Sequence, residues 1–229
     1  MTENWAVPAA RPTTVPVRGG GVFPVRRIYC VGRNYEAHAR EMGFEVDREE
    51  PFFFLKPADA IELDGADIPY PRMTSNYHFE VELVVAIAKA GSEIAIEAAA
   101  RHIFGYAVGL DMTRRDLQIA AREKGRPWDM GKAFDCSAPC GEIVRAHDLS
   151  GIGEAAIRLE VNGTVRQHSS IAHLVWSVEE IIHWLSRFVD LQPGDLIYTG
   201  TPEGVGAVGP GDRLVATVDG LPPLHVTIS

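Results

Sequence analysis

A chain of 229 residues that is 46% apolar, 23% charged and 8% aromatic is long enough to close one large hydrophobic core. It lies outside disordered, collagen-like and fibrous compositions. Its 31 acidic against 22 basic side chains leave a formal charge of −9, which argues against nucleic acid and anionic membranes as partners, since both are gripped through clustered cations.

The longest apolar stretches, such as residues 83–88, fall far short of the ~20 residues that span a bilayer. Residues 1–11 carry no apolar segment after a basic start, so no signal peptide is read and a cytoplasmic location is expected. Residues 1–22, with Pro8, Pro12, Pro16 and three successive glycines from Gly19, predict an extended lead-in without a packed element, ahead of one domain over 23–229. Residues 27–31 predict a strand, 35–42 a short helix between Asn34 and Gly43, and 52–55 a second strand stopped by Pro57.

From Phe79 to Ile87 apolar residues alternate in the period of a half-buried strand. A helix over 96–103, an apolar strand over 106–110 and a helix over about 113–124 follow. Asn162-Gly163 is a hairpin signal after an alternating run. Ser177 and Glu180 form a capping box before Val178, Ile181, Ile182, Leu185 and Phe188, which share a helical face. Many short strands, about three helices and no regular βαβ alternation predict a strand-rich α+β domain. Cys30, Cys136 and Cys140 are odd in number and lack CxxC spacing, so they read as small reduced hydrophobes.

Residues two apart on a strand point the same way, so Glu80 and Glu82 share a face opposite Phe79, Val81 and Leu83. Such a pair on a solvent face is simply hydrated. Asp111, which ends an apolar strand, supplies a third carboxylate and turns the reading toward a hard divalent cation, Mg²⁺ or Mn²⁺, with open coordination positions. His38 and Glu41 lie three apart on the short helix, either as an exposed ion pair or as an imidazole oriented by a carboxylate to activate water.

Arg115, Gln118 and Arg122 recur on one face of the helix after Asp111, either solvated or placed to grip a substrate carboxylate. Lys132 sits in a loop between Gly131 and Ala133. The loop 198–206 offers backbone amides and the hydroxyls of Thr199 and Thr201, but lacks the lysine and spacing of a P-loop. His102, His147, His168, His173, His183 and His225 have no identifiable partners in the sequence.

Six ordered segments together resemble the fumarylacetoacetate hydrolase family: residues 30–35 followed by His38 and Glu41, then 54–57, 78–82, 109–116, 131–134 and 199–206. The resemblance runs from about Phe23 to the C-terminus. It implies a mixed β-sandwich roll, a homodimer, and Mg²⁺ or Mn²⁺ held by Glu80, Glu82 and Asp111. It further implies that His38 and Glu41 form a lid-helix dyad, that Lys132 stabilises an enolate, and that Arg115, Gln118 and Thr201 contact substrate.

The reaction it implies is hydrolysis of a C–C bond in a small anionic acylpyruvate, foremost fumarylpyruvate to fumarate and pyruvate. Other reactions fit the same site: decarboxylation of a 2-oxoacid of the oxaloacetate type, or isomerisation or decarboxylation of an unsaturated dicarboxylate. The His38 and Glu41 pair favours hydrolysis, because decarboxylation needs no activated water. A metal-stabilised binding protein without turnover is the non-enzymatic alternative.

Overall fold

The computed structural model describes residues 6–9, 11–37 and 48–229. Its centre is a six-stranded mixed sheet, in the order Val144–Arg145, Ile103–Leu110, Val81–Ile87, Asp195–Tyr198, Arg27–Val31 and Phe53–Lys56. Asp195–Tyr198 runs parallel to Arg27–Val31, and the other pairings are antiparallel. A five-stranded sheet contains, in order, Thr164–Ser170, Ala156–Val161, Arg213–Val218, Leu224–Ile228 and Ala66–Ile68. This is the expected strand-rich α+β architecture.

Alternating side chains explain how the sheets meet. Leu83, Val85, Ile87 and Val108 project from the central sheet into one core with Ile157, Leu159, Leu214, Ala216 and Val226 of the five-stranded sheet. The helix Val178–Phe188 seals this core with Val178, Ile181, Ile182 and Leu185, and its capping box is formed as expected. Phe188 is the exception on that face: it is 63% exposed, because the helix ends there and the last residue swings past the core edge.

The opposite face of the central sheet is also covered. Val84, Ala86, Ala107, Ile28 and Leu196 pack with Val15, Val17 and Phe23. Thr14–Pro16 and Val22–Pro24 pair as an antiparallel hairpin, so the expectation that residues 1–22 contain no packed element is corrected. Gly19, Gly20 and Gly21 make the hairpin's turn, closed by Gly20 N donating to Val17 O and Val17 N to Gly21 O. Val15 is wholly buried beneath it.

The predicted strand over 79–87 is likewise changed in two respects. It is buried on both faces from Val81 to Ile87, and it breaks at Glu80. The preceding strand, Tyr77–Phe79, joins a separate three-stranded sheet with Thr113–Arg114 and Gly206–Val208. The 96–103 region forms one α-helical turn, Ile96–Ala99, and a 3-10 turn, Ala100–His102. Asn162 and Gly163 both adopt positive φ, 52° and 78°, at the expected hairpin, as a type I′ turn requires. Residues 36–37 are helical, and the rest of the helix predicted over 35–42 lies outside the described residues. Among the described residues no helix is long and apolar enough to cross a membrane.

Candidate metal and active site

Strand register brings the three carboxylates together. Val81 pairs with Leu110, so Glu80 and Asp111, each one residue beyond that pair, meet at the end of the two strands, where Asp111 N donates to Glu80 O at 2.9 Å. Glu82 is two residues along, opposite Gly109. Carboxylate oxygens of Glu80, Glu82 and Asp111 lie within 4.8 Å of one another, and all three side chains are buried.

Three neighbouring cations answer this charge. Lys132 Nζ donates to Glu80 Oε2 at 2.8 Å, to Asp111 Oδ2 at 2.7 Å and to Thr113 Oγ1 at 2.8 Å. Arg115 pairs with Glu80 Oε1, and Lys56 Nζ stands 2.8 Å from Asp111 Oδ1. Lys56 also donates to the carbonyls of Met112 and Lys132, which ties the segment after Asp111 to the end of the helical turn Asp129–Lys132. Despite burial, which opposes its charge, Lys132 is held above the usual lysine range by Asp111 and Glu80.

Glu82 has a different environment. Burial first, then Asp111 and Glu80, push its carboxyl well above the ordinary range, against the Gly200 amide and Lys132. Gly200 N donates to Glu82 Oε2 at 2.7 Å. That contact requires glycine: Gly200 has φ +100°, and a Cβ there would lie 2.7 Å from Asn34 Cβ. Asn34 fixes this loop by donating from Nδ2 to Thr199 O and Trp176 O while accepting from Trp176 N.

Arg115 and Gln118 project from the helix Arg115–Glu123; Arg115 donates to Gln118 Oε1 and, from Nε, to His78 Nδ1. Burial, followed by Arg115, lowers the His78 pKa to about 4, so its ring is neutral near pH 7 and can accept. Gln167 binds the site from the hairpin side: its Oε1 accepts from Val81 N, and its Nε2 donates to Thr201 Oγ1 at 2.9 Å and to Pro202 O.

Glu80, Glu82, Asp111, Arg115, Gln118, Lys132 and Thr201 thus line one pocket. Lys132 is on a helical turn, Asp129–Lys132, rather than in a loop. His38 and Glu41 lie outside the described residues. Sequence reasoning missed Lys56, Asn34 and Gln167. Lys56 stood inside a recognised segment as a lone lysine in an apolar strand, a usable signal; Gln167 carried none, because its role depends on a long-range contact.

Of the histidines without sequence partners, His102 contacts Lys89 O, His173 Ser169 Oγ, His183 Ile94 O, His147 Asp148 and His225 Asp64. The three cysteines are free, with Cys30 and Cys140 buried.

Three buried carboxylates at this spacing, one of them penalised as an anion by burial and then by the other two, fit a hard divalent cation bound through oxygen. A mixed-sheet α+β fold with such a cluster at the end of paired strands is suited to a divalent-cation-dependent enzyme.

Residues 27–229 match the family model described as Fumarylacetoacetate (FAA) hydrolase C-terminal, and the chain belongs to the fumarylacetoacetate hydrolase family. It is 50% identical over 189 residues to the fumarylpyruvate hydrolase of Ralstonia sp., covering 82% of this chain and 98% of that one. The crystal structure of fumarylpyruvate hydrolase from Pseudomonas aeruginosa, in complex with Mn²⁺ and pyruvate, superposes with a TM-score of 0.96 at 54% identity, over 98% of this chain and 99% of that one. The human mitochondrial oxaloacetate tautomerase FAHD1 is 39% identical over 196 residues, covering 86% of this chain and 88% of that one.

Proposed function

We propose that this chain is a metal-dependent hydrolase that cleaves the C–C bond of an acylpyruvate, fumarylpyruvate to fumarate and pyruvate. The observation that carries the reading is the buried Glu80, Glu82 and Asp111 cluster in a chain half identical to a fumarylpyruvate hydrolase over nearly that protein's whole length. The ion is Mg²⁺ or Mn²⁺, and the catalytic domain spans residues 23–229 with the strand Thr14–Pro16 joined to it. The enzyme works as a cytoplasmic homodimer.

Glu80, Glu82 and Asp111 hold the metal, which when bound supplies Lewis acidity and a template for neighbouring substrate oxygens. Arg115, Gln118 and Thr201 hold the pyruvyl end of the substrate, so that water and the distal carbonyl meet productively. His38, oriented by Glu41, takes a proton from water as its oxygen bonds to that carbonyl carbon. The bond from this carbon to the methylene then breaks. Its electron pair leaves with the pyruvyl fragment as an enolate, which is reprotonated to pyruvate, and the acyl part leaves as fumarate. Lys132 stabilises the negative charge that develops on the enolate oxygen.

Similarity to an oxaloacetate tautomerase favours a second reading, in which the same enolate chemistry serves oxaloacetate. The test is to mix the purified protein with Mg²⁺ or Mn²⁺ and a panel of acylpyruvates, with oxaloacetate beside them, and follow loss of the enol absorbance. Fumarylpyruvate is expected to be consumed fastest; turnover of oxaloacetate alone would replace hydrolysis by the second reading.

A further inference from the structure

The groups that hold the pyruvyl end leave the far side of the pocket without a role, and that side carries two more arginines. Arg33 and Arg122 line the same pocket as the carboxylates, together with Phe54 and Trp128. Arg122 continues the helical face of Arg115 and Gln118; at a rise of 1.5 Å per residue it stands about 6 Å beyond Gln118 along the axis. Buried Arg115 and Gln118 therefore mark the inner end of the pocket, and half-buried Arg122 its outer end.

Arg33, exposed and on the segment after the strand Arg27–Val31, lines the same pocket and lies near enough to Arg122 for their charges to interact. Its backbone is left-handed, with φ 56°, an uncommon conformation for a non-glycine residue. Gly32 beside it has no room for a side chain, since a Cβ would lie 2.0 Å from the Phe52 ring. Phe52 packs there instead, with the Arg33 guanidinium 5.5 Å from its centroid and the Trp128 ring edge-on at 5.3 Å. The two arginines sense each other: burial and then Arg122 lower the pKa of Arg33, while Glu49 opposes the shift. Two cations in one pocket with the Phe54 and Trp128 rings suit a carboxylate on an unsaturated acyl chain.

We propose that Arg33 and Arg122 bind the distal carboxylate of the acyl group, with Phe54 and Trp128 flanking its double bond, and so select a dicarboxylic acylpyruvate over a neutral one. This rests on the acylpyruvate hydrolase reading above. The closing experiment compares fumarylpyruvate with acetylpyruvate, which lacks the distal carboxylate, in the metal-loaded wild type, Arg33→Gln, Arg122→Gln and the double variant. It adds calorimetric binding of fumarate and crotonate, the latter having a methyl group where fumarate has its second carboxylate.

For fumarylpyruvate KM is expected to rise about 10-fold in each single variant and about 100-fold in the double, with kcat nearly kept, as for loss of a charge-assisted contact made equally in ground and transition states. Acetylpyruvate kinetics stay unchanged, and fumarate loses affinity in the variants while crotonate does not. Equal losses on both substrates, or no loss on fumarylpyruvate, overturn the proposal. A wild type that cleaves neither substrate defeats the hydrolase reading instead. The binding arm then decides the arginines by itself, and equal affinity for fumarate and crotonate would sink their role.

Discussion

Lys56 and Lys132 both face Asp111, yet their partners differ in kind. Lys56 is enclosed and spends its donors on the carbonyls of Met112 and Lys132, which holds two chain segments together. Lys56→Met should therefore lower stability by about 3–5 kcal/mol, the range for breaking a buried ion pair from one side, in denaturant titrations of the metal-loaded protein. A midpoint matching wild type would deny it that structural role.

Lys132 Nζ instead donates to side chains, those of Glu80, Asp111 and Thr113. Lys132→Met should lower kcat about 10²- to 10³-fold, as for loss of an oxyanion-stabilising donor, in both hydrolysis and metal-dependent exchange of the pyruvate methyl protons. An unchanged kcat with a raised KM would make it a binding residue. Glu80, Glu82 and Asp111 were legible as a cluster because strand period and a strand end are local features. Lys56 and Gln167 were not, because their roles arise only when distant segments close around the cluster.

Elements position these side chains through a few ties. The helix Arg115–Glu123, which carries Arg115 and Gln118, is anchored near its start by Asp116. Its carboxylate accepts from Thr74 Oγ1 at 2.6 Å and from the amides of Ser75 and Leu117 at 2.9 Å. Burial works to raise the Asp116 pKa, but these hydrogen bonds outweigh it and hold the carboxyl below its ordinary value.

A depressed native pKa means that the ionised form stabilises the fold above the unfolded pKa, and that this contribution is lost as pH falls through the native one. Asp116→Ala should thus cost about 1 kcal/mol near neutral pH, with the difference from wild type shrinking in acid. A pH-independent difference would point to packing instead. The Ser177 and Glu180 capping box was legible because it spans four residues. Phe188 was misplaced because periodicity alone does not mark where a helix leaves the core it covers.

The whole molecule buries its central sheet on both faces, and the N-terminal hairpin supplies the second cover. Proline and glycine in residues 8–21 suggested absence of structure, whereas Gly19, Gly20 and Gly21 form the turn of that hairpin and Pro16 ends its first strand. Its packing against Val84 and Ala86 is a long-range fact with no trace in local pattern. Val15 is 0% exposed, so Val15→Ala should cost about 2 kcal/mol in thermal or denaturant unfolding; an effect near zero would remove the hairpin from the core.

At the same scale, the fold places the Glu80, Glu82 and Asp111 carboxylates at the meeting of the central sheet and the Tyr77–Phe79 sheet, and the proposed activity depends on them. The most direct measurement is turnover of fumarylpyruvate in ¹⁸O-labelled water by protein stripped with chelator and reloaded with Mn²⁺ or Mg²⁺, alongside Glu82→Ala. The expected product is fumarate carrying one labelled carboxylate oxygen together with equimolar pyruvate, only in the reloaded wild type. Cleavage that persists without metal or in Glu82→Ala, or release of carbon dioxide with the remaining carbon chain intact, would contradict the proposed activity.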